Sequence, residues 1–391
     1  MAIRPRVLLH GETMAKKYVS YKNFLRGITS KHTQSEYINA LRNFMAFHKL
    51  ENYDEVSKFD AVRIDKLITD YIDYLITREV KVTTQRNMLV AIERFFIMND
   101  CVFHKERIRK GLSKDTAIPG GRTPITTEEL WCMLSYTKSI RTKCIIHILA
   151  DTGMRPAGLS DPTLRLKHLV EMRTPTGEKC YALMIYDGSI EGYWAFLTPE
   201  TTSIVDSYLQ SRRNKDEVLS PETPLLMKER NVGEPGVETS GARHIIYNMI
   251  KAAGIERIKV SKFRYDKSVM YMFRKRFNTI LKINNDVNSN IAEKLMAHKK
   301  GLDGTYLQPT REECFTEFVK AIPELTIDPT KRQSIELVQK QNEIDLLEEK
   351  SKKIDELEEM ISQIRQKNSV EPSEDTKKLI LSILKEKKII S

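Results

Sequence analysis

Between Leu112 and Ile125 the chain reads S-K-D-T-A-I-P-G-G-R-T-P, with two prolines, a Gly-Gly pair and no apolar period. No helix or strand ladder runs through such a stretch. Residues 113–124 therefore read as an interdomain linker, and the parts on either side must each build a core. The part before it is helical in period. Tyr37, Leu41, Phe44 and Met45 make one apolar stripe, and Ile64, Leu67, Ile68, Tyr71, Ile72 and Leu75 a second. A third runs through Met88, Leu89, Ile92, Phe95 and Phe96. This spacing gives amphipathic helices whose apolar faces have to meet, with Ser30 and Thr83 placed to cap the first and third. Residues 20–112 are expected to form a small helical domain. Residues 1–19 have no clear period and read as a loose N-terminal arm.

After the linker the period changes twice. Thr126-Thr127-Glu128-Glu129 is a helix start with acidic residues in its first turn. The apolar helix that follows, through Cys144, Ile145, Ile146, Ile148 and Leu149, ends at Thr152-Gly153, and His147 inside it reads as a core histidine. His168–Met172, Tyr181–Tyr186 and Tyr193–Thr198 then alternate as three short strands. They are joined by T-P-T-G-E-K and D-G-S-I-E-G turns, the pattern of a small antiparallel sheet. Pro199-Glu200 opens another helix, 214–241 is polar loop, and helices resume around 242–253, 270–283, 287–297 and 311–322. The expected fold is mainly α, in the α+β sense, with a second domain over 125–329 built from helices and one small sheet.

The tail, 330–391, is different again. Leu347, Ile354 and Ile361 recur every seven residues, with Leu357 and Ile364 on a second line and Glu and Lys elsewhere. A short coiled coil or extended amphipathic helix fits, with a register offset at Ile344 and a further amphipathic piece over 376–390. A solvated single helix with i,i+4 ion pairs is the alternative.

Charge narrows the partners. The formal net charge is +11, and residues 331–391 hold 13 Lys+Arg against 13 Asp+Glu, so the whole excess lies in 1–330. A basic body with a neutral tail points to a polyanion, nucleic acid before an anionic membrane. Cys101, Cys132, Cys144, Cys180 and Cys314 show no disulfide framework and no zinc-ligand spacing, which suggests reduced thiols in the cytoplasm. No apolar run reaches the roughly 18 residues of a membrane span, and M-A-I-R-P-R-V-L-L-H is too short and interrupted for a signal peptide.

Four residues of the second domain share a chemistry. Arg155 lies in D-T-G-M-R-P and Arg274 in Y-M-F-R-K-R-F. His298 stands eight residues before Tyr306 in K-L-M-A-H-K-K-G-L-D-G-T-Y-L-Q-P. Singly, each has an ordinary reading: a capping arginine, a basic run, a solvated turn, a core tyrosine. Together they suit attack by a phenol oxygen on a DNA phosphodiester, with no metal or other cofactor. Arginine forks donate two parallel hydrogen bonds to the non-bridging oxygens and keep their charge. Stabilising that charge is the main lever in phosphoryl transfer. Tyrosine as nucleophile gives a covalent phosphotyrosine that conserves the bond for religation.

The motifs that carry these residues resemble those of the tyrosine recombinases (phage-type integrases), most of all the archaeal branch. T-G-M-R-P-A-G-L at 152–159 resembles the first arginine box and M-F-R-K-R-F-N-T at 272–279 the second. L-M-A-H-K-K-G-L-D-G-T-Y-L-Q-P at 295–309 resembles the histidine–tyrosine box, and I-P-E-L-T-I at 322–327 the closing segment of archaeal members. The resemblance covers nearly all of 20–326. It implies a core-binding helical domain at 20–112 and a catalytic domain at 123–326. Arg155 and Arg274 would clamp the scissile phosphate, His298 would donate to it and Tyr306 would attack. It implies a site-specific recombinase that integrates or excises a mobile element, acts as a tetramer on two double-stranded DNA sites and associates with the nucleoid. Lys275, Arg276, Lys299, Lys300 and Arg264 would contact DNA.

The chain departs from the family pattern at three places. Ile190 stands in the strand-to-strand turn where relatives offer a lysine as general acid, the nearest substitute being Lys179 in the preceding turn. Tyr271 replaces the usual histidine three before the second arginine, and Gly158 the acidic residue three after the first. Two other readings stay open: a DNA-binding protein of the same fold with weak or lost chemistry, and a relaxing type IB topoisomerase.

Overall fold

The computed structural model describes residues 5–112, 121–228, 236–261, 264–298, 306–367 and 374–386. The chain divides into two compact units, 1–120 with 259–265, and 121–258 with 266–391.

The first unit is a helical bundle: α1 (Pro5–Lys17), α2 (Val19–Leu25), α3 (Lys31–Phe47), α4 (Tyr53–Val56), α5 (Ala61–Thr77), α6 (Val82–Ile97) and α7 (Lys105–Lys110). The three stripes meet as their spacing requires. Ile38, Leu41 and Phe44 of α3, Ile64 and Ile68 of α5, and Leu89, Ile92, Phe95 and Phe96 of α6 are buried in one core. Each contributes about 1.5–3 kcal/mol by leaving water. Phe44 anchors it edge-on to Tyr71 and Phe96, at ring-centroid distances of 5.5 and 6.2 Å. Ser30 caps α3 by accepting from the Thr33 N–H. Thr83 is not a cap: α6 begins at Val82, with Lys81 at its N-cap and no side-chain bond there. The expected loose arm is also corrected. Residues 5–17 form α1, which buries Val7 and passes so close to α3 that a β-carbon on Gly11 would strike Ile38. The contact is made through a glycine, so no apolar period marks it.

Two buried carboxylates pin α7. Asp65 accepts from the His104 N–H (2.8 Å), His104 Nδ1 (2.6 Å) and Arg107 Nη2 (2.7 Å). Glu93 takes Arg109 in a fork at 2.8 and 2.6 Å. The short antiparallel pair β4 (Lys259–Ser261) and β5 (Arg264–Tyr265) also falls in this unit.

Of the expected linker, residues 113–120 lie outside the described residues. Residues 121–124 already belong to the second unit, where the Thr123 N–H donates to the Asp266 carbonyl. That unit opens with α8 (Thr127–Ser135), whose Thr126 and Glu129 form a capping box, and α9 (Ile140–Thr152), buried along its length with His147 inside. β1 (Leu169–Arg173), β2 (Lys179–Ile185) and β3 (Tyr193–Leu197) form an antiparallel sheet in that order, with Ala182 opposite Phe196. Both faces of the sheet are covered. Leu183, Ile185, Ala195 and Leu197 join the core around α9 and α10 (Pro199–Arg213); Cys180, Ala182 and Phe196 join a second core. α11 (Thr239–Ala252) and α12 (Tyr271–Ile283) follow, then α13 (Ser289–Leu295), α14 (Arg311–Val319) and α15 (Ile322–Leu325). α12 spans both cores, giving Met272 and Phe273 to the first and Phe277 and Leu281 to the second. The tail is a 39-residue helix, α16 (Pro329–Lys367), followed by α17 (Glu374–Glu386). The architecture is mainly helical with one small antiparallel three-stranded sheet. No helix among the described residues is long and apolar enough to cross a membrane.

Candidate active site

The site is assembled at the junction of α9, α12 and α13. α9 ends at Gly153, left-handed at φ 52°, where a β-carbon would lie 2.7 Å from the Phe277 ring. Only glycine combines that backbone with so close an approach. The turn carries Arg155 two residues on, at the start of a 3-10 segment. Gly158 in that segment is more loosely bounded: a β-carbon would meet the side chains of Ile185 at 3.1 Å and Met154 at 3.2 Å, a tight contact that a small shift of either relieves.

Arg274 comes from the first turns of α12 and is 8% exposed. Its Nη1 donates to the Gly153 carbonyl at 2.8 Å and its Nη2 to the Met296 carbonyl at 2.5 Å. Arg155 Nη2 donates to the next carbonyl, Ala297, at 3.4 Å. Both guanidinium groups therefore grip the end of α13, one residue before His298. Each carries five N–H donors, so these carbonyls leave donors over for an anion. Burial lowers the Arg274 pKa, and the charge of Arg155 lowers it further. Two like charges at a partly buried point call for an anion to neutralise them.

His298 is oriented from behind. Its Nδ1 lies 2.7 Å from Glu293 Oε2, and its N–H donates to the Glu293 carbonyl at 2.9 Å. Glu293 Oε1 also pairs with Lys282 at 2.8 Å. Burial pushes the Glu293 carboxyl up, but the hydrogen bonds from Lys282 and His298 outweigh it and hold its pKa at about 2. An ionised Glu293 keeps the proton on Nδ1 and leaves Nε2 as the outward atom.

Three further residues join the cluster that spacing did not single out. Tyr193 of β3 lies within the field of the Arg274 guanidinium, and burial holds its phenol above the usual range. Tyr186, left-handed at φ 58°, lies in the field of Arg155, and its ring is 6.3 Å from that of Tyr193. Glu191, in the β2–β3 turn, brings a carboxylate oxygen to 3.9 Å from Arg155 Nη1. Tyrosines in a strand read as ordinary core, so only the fold reveals their neighbours.

Not every expected residue gathers here. Tyr271 opens α12, half exposed, and its phenol acts on the charge of Arg274. Tyr306 is 78% exposed and lines a surface cleft of about 410 Å³ with Ile291, Pro309, Glu313 and Glu317. Among the described residues its hydroxyl makes no hydrogen bond to Arg155, Arg274 or His298. Lys179 is not brought to the arginines. It opens β2, the strand whose other end leads to Tyr186, and is bound to Asp206 at 2.7 Å. Seven strand residues separate the two ends by roughly 20 Å. Ile190 is 91% exposed in its turn. Arg276 is a correction: expected on a DNA-facing surface, it is 3% exposed. It instead donates to Thr127 Oγ1 and the Glu324 and Leu325 carbonyls, because its position on α12 faces inward. Lys275 is half-buried on the same helix and Arg264 lies on β5; Lys299 and Lys300 are outside the described residues.

No protein-family model matches the chain, and no curated protein does. Among solved structures it is similar to XerA recombinase, at 16% identity over 76% of this chain and 96% of that one, with a TM-score of 0.35. It is similar to XerH site-specific recombinase bound to its difH substrate, at 14% identity over 74% and 78% of the chains, TM-score 0.47. A lambda integrase dimer (75–356) bound to a COC' core site gives 14% identity, 73% and 91% coverage and a TM-score of 0.47. Identities of 14–16% leave the roles of residues to this chain's own geometry.

Proposed function

We propose that this chain cleaves and rejoins double-stranded DNA at specific sites through a covalent 3′-phosphotyrosine, as a tyrosine recombinase. The observation that carries the reading is the convergence of Arg155 and Arg274 on the Met296 and Ala297 carbonyls, next to a His298 oriented by Glu293. Two arginine charges and the ring of His298 gather beside the 296–298 backbone, and such groups suit a phosphodiester. Tyr306 Oη attacks the phosphorus as its proton passes to water, an O–P bond forms, and the P–O5′ bond breaks. The 5′ oxygen leaves with a proton, and reversal by a 5′ hydroxyl of another strand rejoins the DNA. Of the two candidates for delivering that proton, Tyr271 stands near Arg274, while Lys179 is held by Asp206 at the far end of β2. The reading therefore gives the step to Tyr271.

In this reading residues 20–112 grip the duplex, 125–329 carry the chemistry, and four copies act on two DNA sites to integrate or excise a mobile element. Arg264, Lys275, Lys299 and Lys300 supply phosphate contacts. The basic excess in 1–330 supports a DNA partner. A second reading, DNA binding without efficient chemistry, is favoured by the Lys179–Asp206 pair and by Ile190 in the turn.

Adduct trapping separates the two. The protein is incubated with labelled DNA carrying the repeats that flank its own gene, nicked beside the cleavage point, and then denatured. A covalent band lost in Tyr306→Phe is the expected result. A specific complex with no covalent band selects the binding-only reading, and a band that persists in Tyr306→Phe removes Tyr306 as nucleophile.

A further inference from the structure

We infer that the tail helix α16 joins two copies of this chain as a parallel, in-register coiled coil over Leu347–Ile364. Ile335, near the start of α16, packs against the second core, so the helix is anchored there. Farther along, Leu347, Ile354 and Ile364 are 57%, 42% and 55% exposed. Leu357 and Ile361 beside them are partly buried. An apolar line of this length left in water is the mark of a missing partner.

The spacing identifies that partner. Leu347, Ile354 and Ile361 fall at heptad position a, and Lys350, Leu357 and Ile364 at d. Ile354 and Ile361 at a with Leu357 at d follow the pattern that favours two strands. Lys353 then falls at g and Glu358 at the following e, so a parallel pair sets each Lys353 against the other copy's Glu358, twice per dimer. An antiparallel pair loses both matches and buries Lys350 against Ile361. In the parallel pair the two Lys350 residues meet in one polar layer, which costs stability and holds the register. The other cover at hand is α17, but at 13 residues it is shorter than the 347–364 line, and its own Leu379, Leu381 and Ile383 are exposed. A second copy is the occupant that matches in length, charge and register.

Cysteine cross-linking of the full chain tests this, with the native chain as control for its own thiols. Under mild oxidation Leu357→Cys should give a covalent dimer and Lys352→Cys, on the outer face, should not. Mixing differently tagged Leu347→Cys and Ile364→Cys chains should give no mixed dimer. Sedimentation should show Lys350→Leu tightening self-association by about tenfold or more, through loss of the polar layer. Equal yields at 352 and 357, a mixed 347–364 dimer, or unchanged association in Lys350→Leu would each overturn the pairing. So would dimerisation that appears only when 368–391 is deleted, since α17 would then be the cover.

Discussion

At the scale of single residues, the site depends on what stands behind its charged groups. His298 is held by Glu293, and Glu293 by Lys282, all through short hydrogen bonds. Glu293→Gln keeps the size of the side chain and removes the charge that fixes the imidazole tautomer. Under the proposed chemistry it should slow adduct formation on the order of tenfold, well short of the 10²–10⁴-fold that a general acid–base group contributes. His298→Ala is the comparison, and equal losses in the two would mean that Glu293 does more than orient. The same carboxylate sets a pH dependence. Its pKa falls from an ordinary 4.5 to about 2 on folding, so its stabilising contribution is complete above pH 4.5 and is lost as the pH falls towards 2. Acid unfolding of Glu293→Gln should lack that part of the transition. Glu191 acts in the other sense, since its carboxylate faces the Arg155 charge that an anionic ligand would use.

At the scale of elements, the turn from α9 to Arg155 and the helix α12 are one mechanical piece. Gly153 is the contact between them: left-handed, against Phe277, and acceptor of an Arg274 hydrogen bond. Gly153→Ala should cost about 2–4 kcal/mol, from the left-handed backbone and from overpacking. A urea midpoint lowered without a change in slope would report it; a shift under 0.5 kcal/mol, the range of a neutral surface change, would mean that the turn relaxes freely. Two residues along α12 from Arg274, the buried Arg276 ties α8 to α15. α12 thus sends one arginine to the site and another into the scaffold, where the sequence placed Arg276 among the DNA-facing cations.

At the scale of the whole molecule, the charge is unevenly shared. Residues 331–391 are neutral, and 1–330 carry the full excess of +11. On DNA with a single binding site, deleting 331–391 should leave the slope of log Kobs against log[salt] unchanged, because each phosphate contact adds about −0.9 and the tail supplies none. A slope that falls by two or more contacts would place part of the DNA surface in the tail. If the tail pairs two copies, the same deletion should weaken assembly on two sites while binding to one site holds.

Local periodicity by itself determined much of this chain. The 3.6-residue stripes of α3, α5 and α6, the alternation of β1–β3 and the seven-residue line of α16 are written in neighbouring residues, so they can be read without the fold. Tertiary structure decided what depends on residues far apart. It turned 5–17 into a helix seated on α3 through Gly11, and drew Arg276 inside through carbonyls of 324 and 325. It bound Lys179 to Asp206 and gave Arg155 and Arg274 adjacent carbonyls to hold. The physical reason is one of range. A stripe needs only the geometry of its own helix, whereas burial and hydrogen-bond partners are contributed by other elements, and nothing in the local spacing names them.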